Sequence, residues 1–178
     1  FIIISKSGTT PETLSQFSCL YHKAIEANQA QIFFSNTLII TEFKESPLFT
    51  IAKENNCLLL EHHRDIGGRY SIFTNVGLVP AIISGLNINE LLDGATEVIK
   101  NIDKYSPYDL GRYLTHKENS SFTNNVLMTY SDSLYFFGKW YLQLWAESIG
   151  KKNRGITAIH SIGTTDQHSQ LQLYLDGP

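Results

Sequence analysis

Cysteine is nearly absent: Cys19 and Cys57 are the only two in 178 residues, at a separation that fits neither a metal-binding nor a redox motif. A disulfide scaffold is excluded, and two isolated thiols fit a reducing cytosol. Charge is sparse as well. With 17% charged residues and a formal net charge of -3, and with lysines and arginines scattered, there is no basic stripe of the kind nucleic acid requires. No apolar run approaches the roughly 18 to 20 residues that cross a bilayer, and Phe1 does not open a signal peptide, because no basic segment precedes it. A cytoplasmic protein with neither a nucleic-acid nor a membrane partner is expected. Among the histidines, His22, His62, His63, His116 and His160 show no metal spacing. His62 and His63 are neighbours and cannot both point at one ion from an extended strand. No metal is expected. There is also no internal repeat and no low-complexity segment.

What is present is the composition of a globular protein, 42% hydrophobic, with enough length for one domain or for pieces of two. The chain opens inside an apolar run without an initiator Met and closes on Asp176-Gly177-Pro178. A segment of a longer protein is therefore expected.

Residues 1–13, FIIISKSGTTPET, organise the rest. The apolar start has no alternation, which suits a strand covered on both faces. Pro11 and Glu12 suit the first turn of a helix, where an N–H is dispensable and a carboxylate meets the dipole. Between them, Ser5-Lys6-Ser7-Gly8-Thr9-Thr10 offers four hydroxyls and one ammonium beside the backbone N–H groups of a helix N-terminus. That set makes a receptor for a phosphate monoester.

The spacing of Leu14, Phe17, Tyr21 and Ile25 predicts a helix from Pro11 to about residue 28. Short apolar runs at 31–34 and 38–43 read as strands, 45–56 as a helix capped by Ser46 with Pro47 at its first position, and 57–61 as another buried strand. Alternating strands and helices imply a mainly parallel sheet with helices on its faces, with ligands at the carboxyl ends of the strands. The next such end carries Gly67-Gly68-Arg69. Two glycines there either make a plain turn or let the backbone approach a ligand while Arg69 meets an anion. A helix over 75–86 contains Pro80, so a kink or break is expected, and a further amphipathic helix covers 87–103. Residues 104–124 are less periodic and read as a boundary region. A strand at 126–130, a helix over 133–149 capped by Ser131 or Asp132 and stopped by Gly150, a strand at 156–162 and a helix over 165–174 complete the chain.

The helix over 133–149 is apolar nearly all round and is expected to be mostly buried. Lys139, Gln143 and Glu147 form one polar ridge on it. Either the ridge is a solvated stripe, or Glu147 enters a desolvated cleft near the helix C-terminus, where both effects disfavour its charge and suit it to general-base work. His168, at a strand-to-helix junction, is either a surface residue or a proton-transfer group.

Ser5-Lys6-Ser7-Gly8-Thr9-Thr10-Pro11-Glu12-Thr13, Gly67-Gly68-Arg69-Tyr70-Ser71, Trp145-Ala146-Glu147-Ser148-Ile149-Gly150-Lys151 and Asp166-Gln167-His168-Ser169-Gln170 together resemble the phosphoglucose isomerase family, in that order along essentially the whole chain. The resemblance implies an α/β fold, a three-layer αβα sandwich with mainly parallel sheets of the sugar-isomerase type, in parts of two such domains. Residues 1–87 would be the later part of the first, 88–124 a connecting helical region, and 125–178 the early part of the second. It also implies aldose–ketose isomerisation of glucose 6-phosphate and fructose 6-phosphate through a cis-enediol(ate), a proton transfer that needs no metal and no organic cofactor. Ser5, Lys6, Ser7 and Thr10 would hold the phosphate, and Gly68 and Gln143 would line the pocket. Glu147 would be the base, Arg69 the partner of the developing oxyanion, and His168 the ring-opening group, reaching the site of the partner subunit in a homodimer. The family's glycine-rich phosphate loop and C-terminal catalytic lysine are not found in these residues, so the chain alone is expected to be inactive. Two other readings of the same motifs are a non-catalytic sugar-phosphate-binding module and an isomerase that also accepts mannose 6-phosphate.

Overall fold

A computed structural model describes residues 1–115 and 122–177. The chain divides into two compact units, Phe1–Thr96 and Glu97–Pro178. Both are α/β with parallel sheets.

In the first unit, β1 (Ile2–Ile4), β2 (Leu38–Thr41) and β3 (Leu58–Glu61) form a parallel sheet in that order. Ile3 pairs with Ile39, and Ile39 with Leu59. Ile39 and Ile40 are both 0% exposed. Successive strand residues face opposite sides, so β2 is covered on both, which is why its sequence does not alternate. The cover comes from α1 (Pro11–Glu26), α2 (Ala30–Ser35) and α3 (Pro47–Glu54). Phe17, Phe33, Phe34, Leu48 and Ala52 close a core with Ile3 and Ile39. The expected cap of α3 is present: Ser46 Oγ accepts from the Phe49 N–H at 3.4 Å, and Pro47 opens the helix.

Two expectations for this unit are corrected. Residues 31–34 are helical, inside α2, rather than a strand. A four-residue apolar run carries no period of its own, and here Phe34 packs against Tyr21 and Phe33 against Phe17, with ring centroids 4.9 and 5.7 Å apart. Asn28, at φ 56, supplies the left-handed residue that turns α1 into α2. β3 is not a buried strand, since Leu58 is 66% exposed; it pairs with β2 alone, so one edge lacks a neighbour among the described residues. A short 3-10 helix, Gly68–Phe73, leads into α4 (Asn75–Ile83). Pro80 lies inside α4 without breaking it. A Cβ at Gly77 would overlap the Ile72 carbonyl, so glycine there allows α4 to sit on the 3-10 turn. α5 (Ile88–Lys100) follows.

The second unit contains α6 (Ile102–Tyr105), α7 (Pro107–Thr115), β4 (Asn124–Thr129), α8 (Tyr135–Ile149), β5 (Thr157–Ile162) and α9 (Thr165–Asp176). β4 and β5 are parallel, Val126 facing Ile159, and α8 and α9 pack on β5. Gly138 is the buried residue of α8. A Cβ there would overlap the imidazole of His160, so the helix crosses β5 at its glycine. The expectation that α8 is mostly buried is overturned: Phe136 is 79% exposed and Phe137 48%. A two-stranded sheet offers too little surface to cover a helix that is apolar all round. The expected cap by Ser131 or Asp132 is also absent. A 3-10 turn, Asp132–Leu134, intervenes, and the Ser131 and Ser133 hydroxyls pair with each other at 2.7 Å instead. No helix among the described residues is long and apolar enough to cross a membrane.

Candidate active site

Because β1, β2 and β3 are parallel, the loops that follow them gather at one end of the sheet, where α/β proteins bind ligands. The loop after β1 is tightly determined. Ser5 is buried, and its hydroxyl pairs with Thr10 Oγ1 at 2.7 Å and accepts the Gly8 N–H at 3.2 Å. Gly8 sits at φ +67, where a Cβ would overlap Ser46 Oγ; only glycine satisfies both the left-handed backbone and the close approach. Ser7 Oγ accepts from the Thr9 N–H and hydroxyl at 3.2 and 2.9 Å. Thr10 occupies the N-cap position of α1 but makes no side-chain cap bond. Its hydroxyl goes to Ser5, and the first-turn N–H groups have no carbonyl to meet inside the helix. Ser5 and Thr10 are thus brought together beside a helix N-terminus suited to an anion, with Ser7 paired to Thr9 in the same loop.

Lys6 points elsewhere. Its ammonium donates to the Arg64 and Ile66 carbonyls at 2.6 and 2.8 Å and lies 3.5 Å from Glu42 Oε1. The Lys6 carbonyl in turn accepts from the Glu42 N–H at 3.0 Å and from Thr41 Oγ1 at 3.3 Å. The first loop is therefore fastened both to the end of β2 and to the loop after β3. Glu42 and Thr41 were not singled out by the sequence. A carboxylate directly after an apolar strand was the available signal.

Arg69 lies half-buried in the 3-10 helix, its guanidinium over the Tyr70 ring at 4.7 Å. The turn is locked by the Tyr70 N–H on the Gly67 carbonyl at 2.9 Å, and by the buried Ser71 hydroxyl on the Gly68 carbonyl at 2.5 Å. Neither Gly67 nor Gly68 is in the left-handed region, and a Cβ on Gly68 would meet nothing within 4 Å. Open space, rather than backbone strain, distinguishes that position.

In the second unit, Gln143 donates to Glu147 Oε1 at 3.0 Å, and Lys139 turns back over the Tyr135 ring at 5.3 Å. Gln143 and Glu147 are exposed, so the desolvated cleft considered for Glu147 is not found among the described residues of this unit. His168 is exposed in the first turns of α9, its N–H on the Thr164 carbonyl at 3.0 Å. What fixes this end of α9 is Asp166. Its carboxylate accepts the Ile162 N–H at 2.6 Å and the Gln170 amide at 3.1 Å. Tyr174 donates to Gln170 Oε1 at 2.6 Å and pairs with the buried Ser161 hydroxyl at 2.7 Å. Tyr130 donates to Gln167 Oε1, also at 2.6 Å. The described residues contain no group of three His, Cys, Asp or Glu placed to hold a metal ion.

The sequence matches the family of phosphoglucose isomerases over residues 1–177. The chain belongs to that family. Among curated relatives, glucose-6-phosphate isomerase of Rubrobacter xylanophilus is 36% identical over 99% of this chain, and a probable glucose-6-phosphate isomerase of Haloquadratum walsbyi is 37% identical over 99%. The chain spans only 42% and 41% of those two proteins. A crystal structure of a hypothetical protein from Thermus thermophilus superposes with a TM-score of 0.86 at 30% identity, covering 99% of this chain and 44% of that one. Family membership thus extends through both units, and the four motif segments all fall within the matched residues.

Proposed function

We propose that this chain is the central part of an isomerase that interconverts glucose 6-phosphate and fructose 6-phosphate, a step of glycolysis and gluconeogenesis. The observation that carries the reading is the loop after β1, where the Ser5 and Thr10 hydroxyls meet at the N-terminus of α1, the Ser7 hydroxyl pairs with Thr9, and Gly8 tolerates no side chain. Such a loop receives a phosphate group and leaves the sugar to be worked on by others. In this reading residues 1–87 belong to one sugar-isomerase domain, 88–124 connect, and 125–178 begin a second.

The chemistry assigned to the remaining residues is set by the needs of a proton transfer between neighbouring carbons. Glu147 takes the proton from C2 of the opened sugar and returns it at C1. Arg69 stabilises the oxyanion that develops as the proton leaves, an interaction worth most where water is excluded. Gln143, bonded to Glu147, holds that carboxylate in orientation and lines the pocket, as does the open side of Gly68. His168 assists ring opening, supplied to the partner's site in a cytoplasmic homodimer. A base and an oxyanion partner suffice for the shift.

The test uses the intact enzyme that carries this segment. Glu147→Gln should lower kcat by about 10²- to 10⁴-fold, the usual contribution of a positioned base, while the affinity for 6-phosphogluconate stays within about threefold. Retained turnover would remove Glu147 from the base's role. Assays with glucose 6-phosphate and mannose 6-phosphate side by side, each followed to fructose 6-phosphate, define the substrate, because these two aldoses differ only at C2.

A further inference from the structure

We propose that Lys6 is a positioning residue for Arg69 and not a phosphate ligand; this rests on the isomerase reading. An ammonium has three N–H donors. In Lys6 two are spent on the Arg64 and Ile66 carbonyls at 2.6 and 2.8 Å, and the third direction is taken by Glu42 Oε1 at 3.5 Å. At most one donor remains, and it lies beside the Glu42 carboxylate, which repels an anion. The Glu42 side chain is only 18% exposed, so the pair is partly withdrawn from solvent, where charge-assisted bonds gain strength.

The two carbonyls are informative because of the turn they lead into. Ile66 runs into Gly67 and Gly68, whose carbonyls are held by the Tyr70 N–H and the Ser71 hydroxyl, and this 3-10 turn carries Arg69. Glycine confers little stiffness. On its α4 side the turn is tied through Thr74 and Asn75. Lys6 supplies an anchor on the upstream side, and it does so from the loop after β1. The group that binds the far end of the sugar and the group that meets its reacting oxygen are thereby held at a fixed separation. An oxyanion partner contributes through preorganisation, so a small displacement is costly.

The experiment is carried out on the intact enzyme with 6-phosphogluconate as probe. Lys6→Met removes the donors at similar length, and kcat should fall by about 10- to 100-fold with the inhibition constant changed less than about threefold. Amide exchange should quicken across residues 62–69 and not in α1. On an Arg69→Lys background the same change should cost less than about threefold more, because both act through one group. Lys6→Arg separates the alternatives even if Lys6→Met does not fold. A guanidinium binds phosphate well but does not seat a point charge between two carbonyls, so inhibitor affinity should hold while kcat still falls. The proposal is overturned if the inhibition constant rises in either variant with kcat unchanged, if the losses on the Arg69→Lys background multiply, or if exchange across 62–69 does not move. Turnover by the unmodified enzyme tests the isomerase reading separately, and the exchange measurement requires no turnover.

Discussion

The two units fold the same way and are held together differently. In the first, Ile39, Ile40 and Leu48 are 0% exposed and Ala52 1%, and three phenylalanines pack with Ile39, Leu48 and Ala52. In the second, among the described residues, the buried side chains are the hydroxyls of Thr129 and Ser161, and no apolar side chain is fully buried. Within this segment, which holds two strands of its sheet, the side chains are joined by polar pairs: Thr129 with His160 at 3.0 Å, Ser161 with Tyr174, and Asp166 with Ile162 and Gln170. A dry core resists through close packing, whereas directional bonds add little individually but are costly to leave half-made. Under the proposed function the two kinds of interior meet different needs. The first unit shapes loops, which must be rigid to cradle an anion. The second presents Glu147 and His168 on helix surfaces, where orientation depends on a few bonds.

The largest effect that tests this contrast is expected in the first unit. Leu48→Ala removes a side chain with 0% exposure and should cost about 2–5 kcal/mol, the transfer and cavity terms together, read as a lower urea midpoint in the intact protein. A loss under about 1 kcal/mol would mean that the core is not what holds the phosphate loop. Next in size, Asp166→Ala should cost about 1–3 kcal/mol, because the Ile162 N–H and the Gln170 amide lose their acceptor. Its signature should be a fall in turnover larger than any change in 6-phosphogluconate affinity, since α9 carries His168. Equal losses of both would show that the network merely supports the fold.

Much of this arrangement was legible because its causes are local. β1, the Pro11 start of α1, the Ser46-Pro47 cap and the parallel order follow from neighbours in the chain. Residues 31–34 were not legible, since a run of two phenylalanines beside an isoleucine fits either period until Phe17 and Tyr21 are placed against it. The exposure of α8 is a property of how many strands it covers, which its own composition cannot report. Within the candidate site, the loop residues were found by type and spacing. The direction of the Lys6 ammonium was not, because its partners lie 58 and 60 residues away and are carbonyls that any sequence would provide. Asp166 stood two residues from His168, yet its role appears only when the end of β5 is in place.

The smallest effect uses the two thiols, both in the first unit, as reporters of that unit alone. Cys19 is exposed on α1, while Cys57 is partly covered against the core just before β3, its N–H on the Ala52 carbonyl at 3.0 Å. Burial pushes the Cys57 thiol above its ordinary range, and the thiolate is the reactive form. A maleimide at about pH 7.5 should therefore label Cys19 first and Cys57 several-fold more slowly, by peptide mass mapping. The sign for stability follows from the same shift. The folded state holds the Cys57 proton more tightly, so that contribution is complete below the thiol's unfolded pKa and is lost as pH rises through the raised folded value. Above about pH 9 the first unit should soften slightly and Cys57 should gain on Cys19. Urea sufficient to disrupt the first unit's core should erase the difference, whereas loosening the second through Asp166→Ala should leave it intact. If Asp166→Ala exposed Cys57, the units would not be separately held, and the contrast between a packed and a hydrogen-bonded interior would lose its basis.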